Sequence, residues 1–402
     1  MSYDIEVWSV RPIDSSVFAP PERWGQEGSQ WVYTGQKWQI VVGHSDKNRI
    51  LPEDIPQEVA KALPGIQYLT GINLEGVATK EAARLLQSTA DRIARSTHGV
   101  VLDQQEGSIR TPSGIKRFMP PAKRDSISVL CLSWWFLESP LLTPSGREAF
   151  LNLLEQMLPE ALPKRYGQYE PPQHLYAETG KSHLFQFWND HLHETTVWYS
   201  HRPVVSFHAG FPNPLGAGKR GFRANTLQIM VDADVLIQPG WPEGLRRFWQ
   251  KTSLLIKPFY GDVRILNGLF MGRGTIAYGR GSESHPVGSW WWRGIPSHLG
   301  KAVVLGDSYQ RLWPAFVSAA TLVDGLAFLS SPDWGAEGEL SEQIKVPDSM
   351  AQPRVAGKMI WTKEEAKEYM HIIRTSGPID RMKKYASLWP FDGPFQEPDT
   401  HP

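Results

Sequence analysis

Three consecutive tryptophans, Trp290, Trp291 and Trp292, constrain this fold more than any other stretch. Successive strand residues face opposite sides, and successive helix residues turn by about 100°, so three adjacent indoles cannot all enter one core. At least one must meet a second layer, a second domain or a partner. If the stretch is extended, Trp290 and Trp292 share one face and Trp291 takes the other. The whole chain leans the same way. It carries 17 tryptophans in 402 residues, about three times ordinary usage. Large amphipathic rings serve cores and interfaces alike, so composition alone does not choose between them.

The length allows two or three domains, each with its own core. The 42 basic and 42 acidic side chains cancel, so the overall balance argues against a nucleic-acid or anionic-membrane partner. The single cysteine, Cys131, lies within the apolar run Ser128 to Phe136 and reads as a buried small hydrophobe. With one cysteine no internal disulfide framework forms, which fits a reducing compartment. Met1 to Val10 carry Asp4 and Glu6 and lack the basic and apolar segments of a signal peptide. No stretch approaches the roughly 18 consecutive apolar residues of a membrane span. The expectation is a cytoplasmic protein without a cofactor.

Patterning predicts an α+β chain: two domains with mixed or antiparallel sheets flanked by helices, and a C-terminal appendage. In residues 1–118, Tyr3, Ile5 and Val7 alternate with polar neighbours as a half-buried strand. Pro20, Pro21, Gly25 and Gly28 mark a long loop before a second strand at Lys37 to Gly43. Asp54, Ile55 and Pro56 open a short helix that ends at Pro64. Gln67 to Glu75 is extended, and Thr79 caps a helix whose apolar residues Ala82, Leu85, Leu86, Thr89, Ile93 and Ala94 recur at helical spacing. His98 and Gly99 close it before the strand Val100 to Leu102. This order suggests a small sheet with helices on one side.

Pro120, Pro121, Lys123 and Arg124 give residues 119–125 the composition of a linker. The larger domain, 126–345, opens on the strand Ile127 to Phe136. Thr143, Pro144 and Glu148 then signal a helix start. Pro163 to Gln173 reads as a loop and Lys181 to Asp190 as a helix. Val204 to Ala209 and Leu227 to Val235 form an antiparallel hairpin. A helix at Glu243 to Ile256, strands at Val263 to Phe270 and Thr275 to Tyr278, and an apolar element at Leu322 to Leu329 follow. Residues 346–402 form the appendage, with a charged helix at Lys363 to Arg374.

No motif carries a recognisable chemistry. His183, His191, His193 and His201, near Asp190 and Glu194, are the densest polar cluster, but they match no familiar zinc spacing. His191 and His193 would share a face only in an extended segment. A metal-dependent hydrolase or transferase using them is the alternative to a non-catalytic reading. Asp232 and Asp234 imitate a cation pair, yet they fall on the polar face of an amphipathic strand. Gly272, Arg273, Gly274 and Gly279, Arg280, Gly281 flank a short strand and read as turns. Arg165, Tyr166 and Tyr169 crowd residue types enriched at interface hot spots into the loop after Pro163. With Trp290, Trp291, Trp292, Arg293, Tyr309 and Trp313 they form the expected partner-contact set.

Trp292, Arg293, Gly294, Ile295 and Pro296, followed by Gly306, Tyr309, Leu312, Trp313 and Pro314, form a pattern that resembles bacterial toxin-immunity families. The opening Met1, Ser2, Tyr3, Asp4, Ile5 is similar in style to such proteins. The resemblance spans about Arg165 to Trp334. It implies an α+β, non-catalytic cytosolic protein that binds and blocks a cognate toxin. A structural subunit of a larger defence or secretion assembly is a further alternative.

Overall fold

The computed structural model describes residues 3–351 apart from 19–22, 28–29, 46–49, 51–54, 77–78, 104–107, 112–113, 118–125, 169–171, 195, 212–221, 272–274, 279–280, 288–290, 293, 337, 339 and 348–349. The expected linker and the helix at Lys363 to Arg374 lie outside these residues. The chain divides into two compact units, Met1–Arg124 with Tyr169–Gln173, and Asp125–Gln168 with His174–Pro402. Both are α+β with antiparallel sheets flanked by helices.

The first unit contains β1 (Tyr3–Ser9), β2 (Gly25–Glu27), β3 (Gln30–Thr34), β4 (Trp38–Ser45), α1 (Gln57–Ala62), β5 (Tyr68–Gly76), α2 (Lys80–Thr97), β6 (Val100–Asp103), β7 (Ser108–Thr111) and β8 (Gly114–Arg117). The strands form one sheet in the order β2-β3-β4-β5-β1-β6-β7-β8. Alternation along β1 sends Ile5 and Val7 into a core with Leu86, Ala90 and Ile93 of α2, and Trp8 to the opposite face with Val59 of α1. Helices therefore cover both faces, where the sequence suggested one. Part of the loop expected between the first two strands is instead the β2–β3 hairpin, because Trp31 and Tyr33 pack on the α2-side core. The Thr79 hydroxyl accepts from the Ala82 N–H at 3.1 Å, and His98 ends α2 at a left-handed φ of 53°.

The second unit contains β9 (Ile127–Phe136), α3 (Pro144–Met157), β10 (Pro163–Gly167), β11 (His174–Leu175), α4 (Tyr176–Asp190), β12 (Val197–Ser200), β13 (Val204–Gly210), β14 (Phe222–Arg223), β15 (Asn225–Asp232), α5 (Trp241–Ile256), β16 (Tyr260–Met271), β17 (Ile276–Ala277), β18 (Trp291–Trp292), β19 (Ala302–Leu305), α6 (Asp307–Leu312), α7 (Pro314–Ala319), β20 (Thr321–Val323) and β21 (Leu326–Ser330). Its main sheet runs β13-β15-β9-β16-β19-β21-β20, with β17 hydrogen-bonded to β16. β9 sits inside this sheet and is apolar on both faces. Leu130, Leu132, Trp134 and Phe136 enter one core with α3, α4 and α5. Val129, Cys131 and Trp135 face two further clusters on the other side.

β15 ends at Asp232, three residues short of the expected Val235, because the Asp232 carboxylate accepts the Asp234 N–H and starts a tight turn. The stretch expected as a loop after Pro163 begins as β10, paired with both β11 and β12. Val346 and Met350 are buried in the cluster around Trp135, and the Ile295 N–H donates to the Met350 carbonyl at 2.9 Å. The second unit's core therefore extends to the last described residues.

Gly146 shows how tightly α3 is seated. A Cβ on it would lie 1.8 Å from the Pro140 carbonyl oxygen. Gly146→Ala gains about 1 kcal/mol of helix propensity but drives a methyl into backbone, an overpacking cost of about 1–3 kcal/mol. The steric effect should win and lower the urea midpoint. An unchanged midpoint would mean that the Pro140–Leu142 turn yields freely.

Candidate functional site

A buried ionisable cluster is built on β16. Tyr260, Asp262 and Arg264 alternate onto one face of the sheet, opposite Trp135, Ser133 and Cys131 of β9 in register. Asp262 is fully buried. One carboxylate oxygen accepts from Arg264 Nε at 2.9 Å, from an Arg264 terminal nitrogen at 2.5 Å and from the Tyr260 hydroxyl at 3.1 Å. The other lies 2.9 Å from His285 Nε2. The second ring nitrogen of His285 lies 3.1 Å from both the Val287 N–H and the Val287 carbonyl; because the Asp262 carboxylate can only accept, the proton that faces it is on Nε2. Arg264 donates onward to the His298 carbonyl at 3.2 Å.

Electrostatics follow the geometry. Burial raises the Asp262 carboxyl, but Arg264 and His285 outweigh it and hold the pKa at about 2. Burial pushes the His285 pKa below its ordinary value despite the neighbouring carboxylate. The Tyr260 phenol is pushed well up by burial and by Asp262, and the Cys131 thiol is raised to about 12, chiefly by burial. The set is thus a carboxylate, a guanidinium and a neutral imidazole, all committed to one another. A histidine acting as general base needs a ring nitrogen free to face its substrate. Both nitrogens of His285 are engaged within the protein.

This arrangement has a consequence in acid. His285 and His208 both titrate below their ordinary range because burial penalises the cation. Each is therefore neutral in the fold and takes up its proton near pH 6.5 when unfolded. Their contribution is present above about pH 6.5 and is lost as pH falls through the lower folded values. Denaturant midpoints should drop as pH falls below about 6.5, and His208→Gln and His285→Asn should each flatten that slope. Two variants retaining the wild-type slope would remove both histidines as its source.

The structure disperses the histidines that the sequence grouped. His183 bonds the Tyr166 hydroxyl at 2.7 Å, His191 lies 3.0 Å from Glu194, His193 bonds the Phe211 carbonyl at 2.9 Å, and the His201 side chain is exposed. α4 separates His183 from His191 by about two turns, and His193 and His201 lie beyond its end. Among the described residues no three His, Cys, Asp or Glu converge as a metal site, so the metal-dependent alternative lacks a donor set there.

The expected contact residues divide. Arg165 and Tyr166 are 1% and 0% exposed. They face opposite sides of β10, which is paired on both edges, and both are buried, so they are interior residues and not a surface loop. Trp292, Tyr309 and Trp313 are equally buried. The Trp292 ring packs against Phe259 and Tyr260 at 4.9 and 5.1 Å, and its Nε1 donates to the Tyr309 hydroxyl at 2.7 Å. These three hold the second cluster together. The Trp291 backbone pairs with Arg223 in the β14–β18 ladder. Trp290, Arg293 and Tyr169 lie outside the described residues.

Sequence reading missed the β16 network. It began this strand at Val263 and so left out Tyr260 and Asp262. The available signal was the alternation Tyr260-x-Asp262-x-Arg264 running directly into an apolar strand.

A different surface lies at the edge of the same sheet. β20 is its last strand, and no described strand pairs with its outer side. Thr321, Leu322 and Val323 are all exposed, Leu322 by 58% and Val323 by 40%. Asp324 and Gly325, with φ of 48° and 79°, form the two-residue turn into β21. A groove of about 300 Å³ runs between this edge and α5, lined by Gln250, Leu254, Thr321, Val323, Phe328 and Leu329 among others.

No family model matches this chain. No curated protein matches it either. Among solved structures, it is similar to the Pseudomonas aeruginosa T6SS protein PA0821, with 14% identity and a TM-score of 0.37, over 50% of this chain and 68% of that one. A likeness at this level carries no argument about activity. Among the described residues no helix is long and apolar enough to cross a membrane.

Proposed function

We propose that this chain is a non-catalytic protein-binding protein of the immunity type, which acts in the cytoplasm by binding and neutralising a cognate toxin. The observation that carries the reading is the closure of the Asp262–Arg264–His285 network. The carboxylate oxygens and both imidazole nitrogens are engaged within the fold. A buried ionic cluster of this kind specifies packing and presents no reactive group to a substrate. The resemblance to toxin-immunity families points the same way, and its best-placed residues, Trp292, Tyr309 and Trp313, serve the architecture on which a binding surface is displayed.

Affinity purification of the tagged chain from its native host should recover one specific protein near equal stoichiometry. Co-expression with this chain should then suppress the toxicity of that protein. Recovery of no specific protein partner would sink the proposal. If a partner is recovered but is not toxic, the neutralising role falls and the binding role stands.

A further inference from the structure

Resting on the protein-binding reading, we propose that the partner docks by adding an extended, acidic segment to the outer side of β20, with its apolar side chains seated in the groove beside α5. In a two-residue hairpin the residues flanking the turn form the hydrogen-bonded pair, here Val323 and Leu326. Ladder alternation makes Leu322 and Ala327 the next, non-hydrogen-bonded pair, so the Leu322 N–H and C=O point away from β21. These are the groups that an added strand uses.

Exposed edges are ordinarily guarded by shortness, charge, proline or a bulge. β20 reads Thr, Leu, Val; it is short but carries no charge, proline or bulge of its own. Thr321 and Val323 share a face with Phe328 and Leu326, their partners across the ladder, and that face borders the groove. A strand laid beside β20 would place alternate side chains next to Thr321 and Val323, on the face that borders the groove.

Charge selects the occupant. Gln250 and Leu254 line the groove from α5, and the neighbouring stripe of that helix carries exposed Arg247 and Lys251 one turn apart. Exposed Lys257 donates to the Asp324 carbonyl at 3.0 Å, which fixes a cation at the turn end of β20. Glu243 answers Arg247 only at 3.9 Å and lies 3.4 Å from Arg246, and the Asp324 carboxylate is the one acid on the turn. The rim is therefore cationic and complements an acidic segment. A second copy of this chain would bring the same three cations against these, which disfavours self-pairing.

The test uses the full chain and short capped peptides of alternating valine and glutamate, or of alternating valine and lysine, titrated calorimetrically at low salt. The glutamate peptide should bind, and the lysine peptide should bind at least about ten-fold more weakly. Leu322→Pro removes one outward donor at an edge, where proline is tolerated. It should weaken the glutamate peptide about ten-fold while leaving the unfolding midpoint in place. Arg247→Glu with Lys251→Glu should reverse the peptide preference. Equal binding of both peptides, binding of neither at millimolar concentration, or wild-type affinity in Leu322→Pro would each overturn the proposal. So would a dimer of the free chain that Leu322→Pro dissociates, since the edge would then belong to a second copy. If the native partner binds these variants as tightly as wild type, this docking mode fails and the protein-binding reading survives. If no partner exists, that reading itself fails.

Discussion

Asp262→Ala is expected to destabilise the second unit by about 3–5 kcal/mol, the range found when one member of a buried ion pair is removed. Asp262 and Arg264 are 0% and 7% exposed, so solvent does little to relieve the abandoned guanidinium. Alanine also strands the Tyr260 hydroxyl and the His285 Nε2 proton, both of which now point at the carboxylate. Hydrogen exchange of β9 and β16 amides under increasing denaturant reads this unit directly, which matters in a chain whose two units need not unfold together. A loss below about 1 kcal/mol would contradict the account. Asp262→Leu combined with Arg264→Met should recover most of the loss, because replacing both partners by apolar groups avoids the unpaired charge. The pair also sets an acid limit. Its carboxyl titrates at about 2 in the fold and near 3.9 when unfolded, so its contribution is present above about pH 3.9 and disappears as pH falls through 2.

Trp292→Ala should cost about 3–5 kcal/mol through the cavity it leaves. Its ring is 1% exposed and lies within 6 Å, centroid to centroid, of Trp135, Phe259, Tyr260 and Tyr309. Tyr309→Phe is the milder companion and should cost about 1 kcal/mol, the worth of the hydrogen bond that Trp292 donates to it. The pair separates two roles for the aromatic motif. A contact tryptophan would lose partner binding on truncation while the fold kept its midpoint. A packing tryptophan loses the midpoint first, and burial predicts this second outcome.

Much of the fold was legible where a local rule had no competitor. Ile127 to Phe136 is apolar apart from Ser128 and Ser133 and forms a strand over those same residues. Thr79 and Thr143 cap helices as their sequence positions suggest, because a hydroxyl just ahead of a helical run satisfies an otherwise orphaned N–H. The hairpin of Val204 to Ala209 with Leu227 onward was readable from period-two alternation.

What escaped was decided by distant partners. Arg165 and Tyr166 sit among turn-forming residues, and only pairing with β11 and β12 makes them a strand interior. β2 and β3 are short and surrounded by glycine and proline, so their pairing outweighs local signals. The β16 network was invisible for the same reason. Asp262 meets His285 at a sequence separation of 23, and no local pattern announces that encounter.

The position of β9 bears on how this protein is made. Its sheet neighbours, β15 and β16, begin only at Asn225 and Tyr260. As the chain leaves the ribosome, ten residues with two apolar faces emerge long before either neighbour exists to cover them. Long-range pairing of this sort is slow, and an uncovered strand is prone to aggregate while it waits. The nascent chain should therefore depend on chaperones most heavily between synthesis of Phe136 and completion of β16, and slower growth at lower temperature should raise the soluble yield.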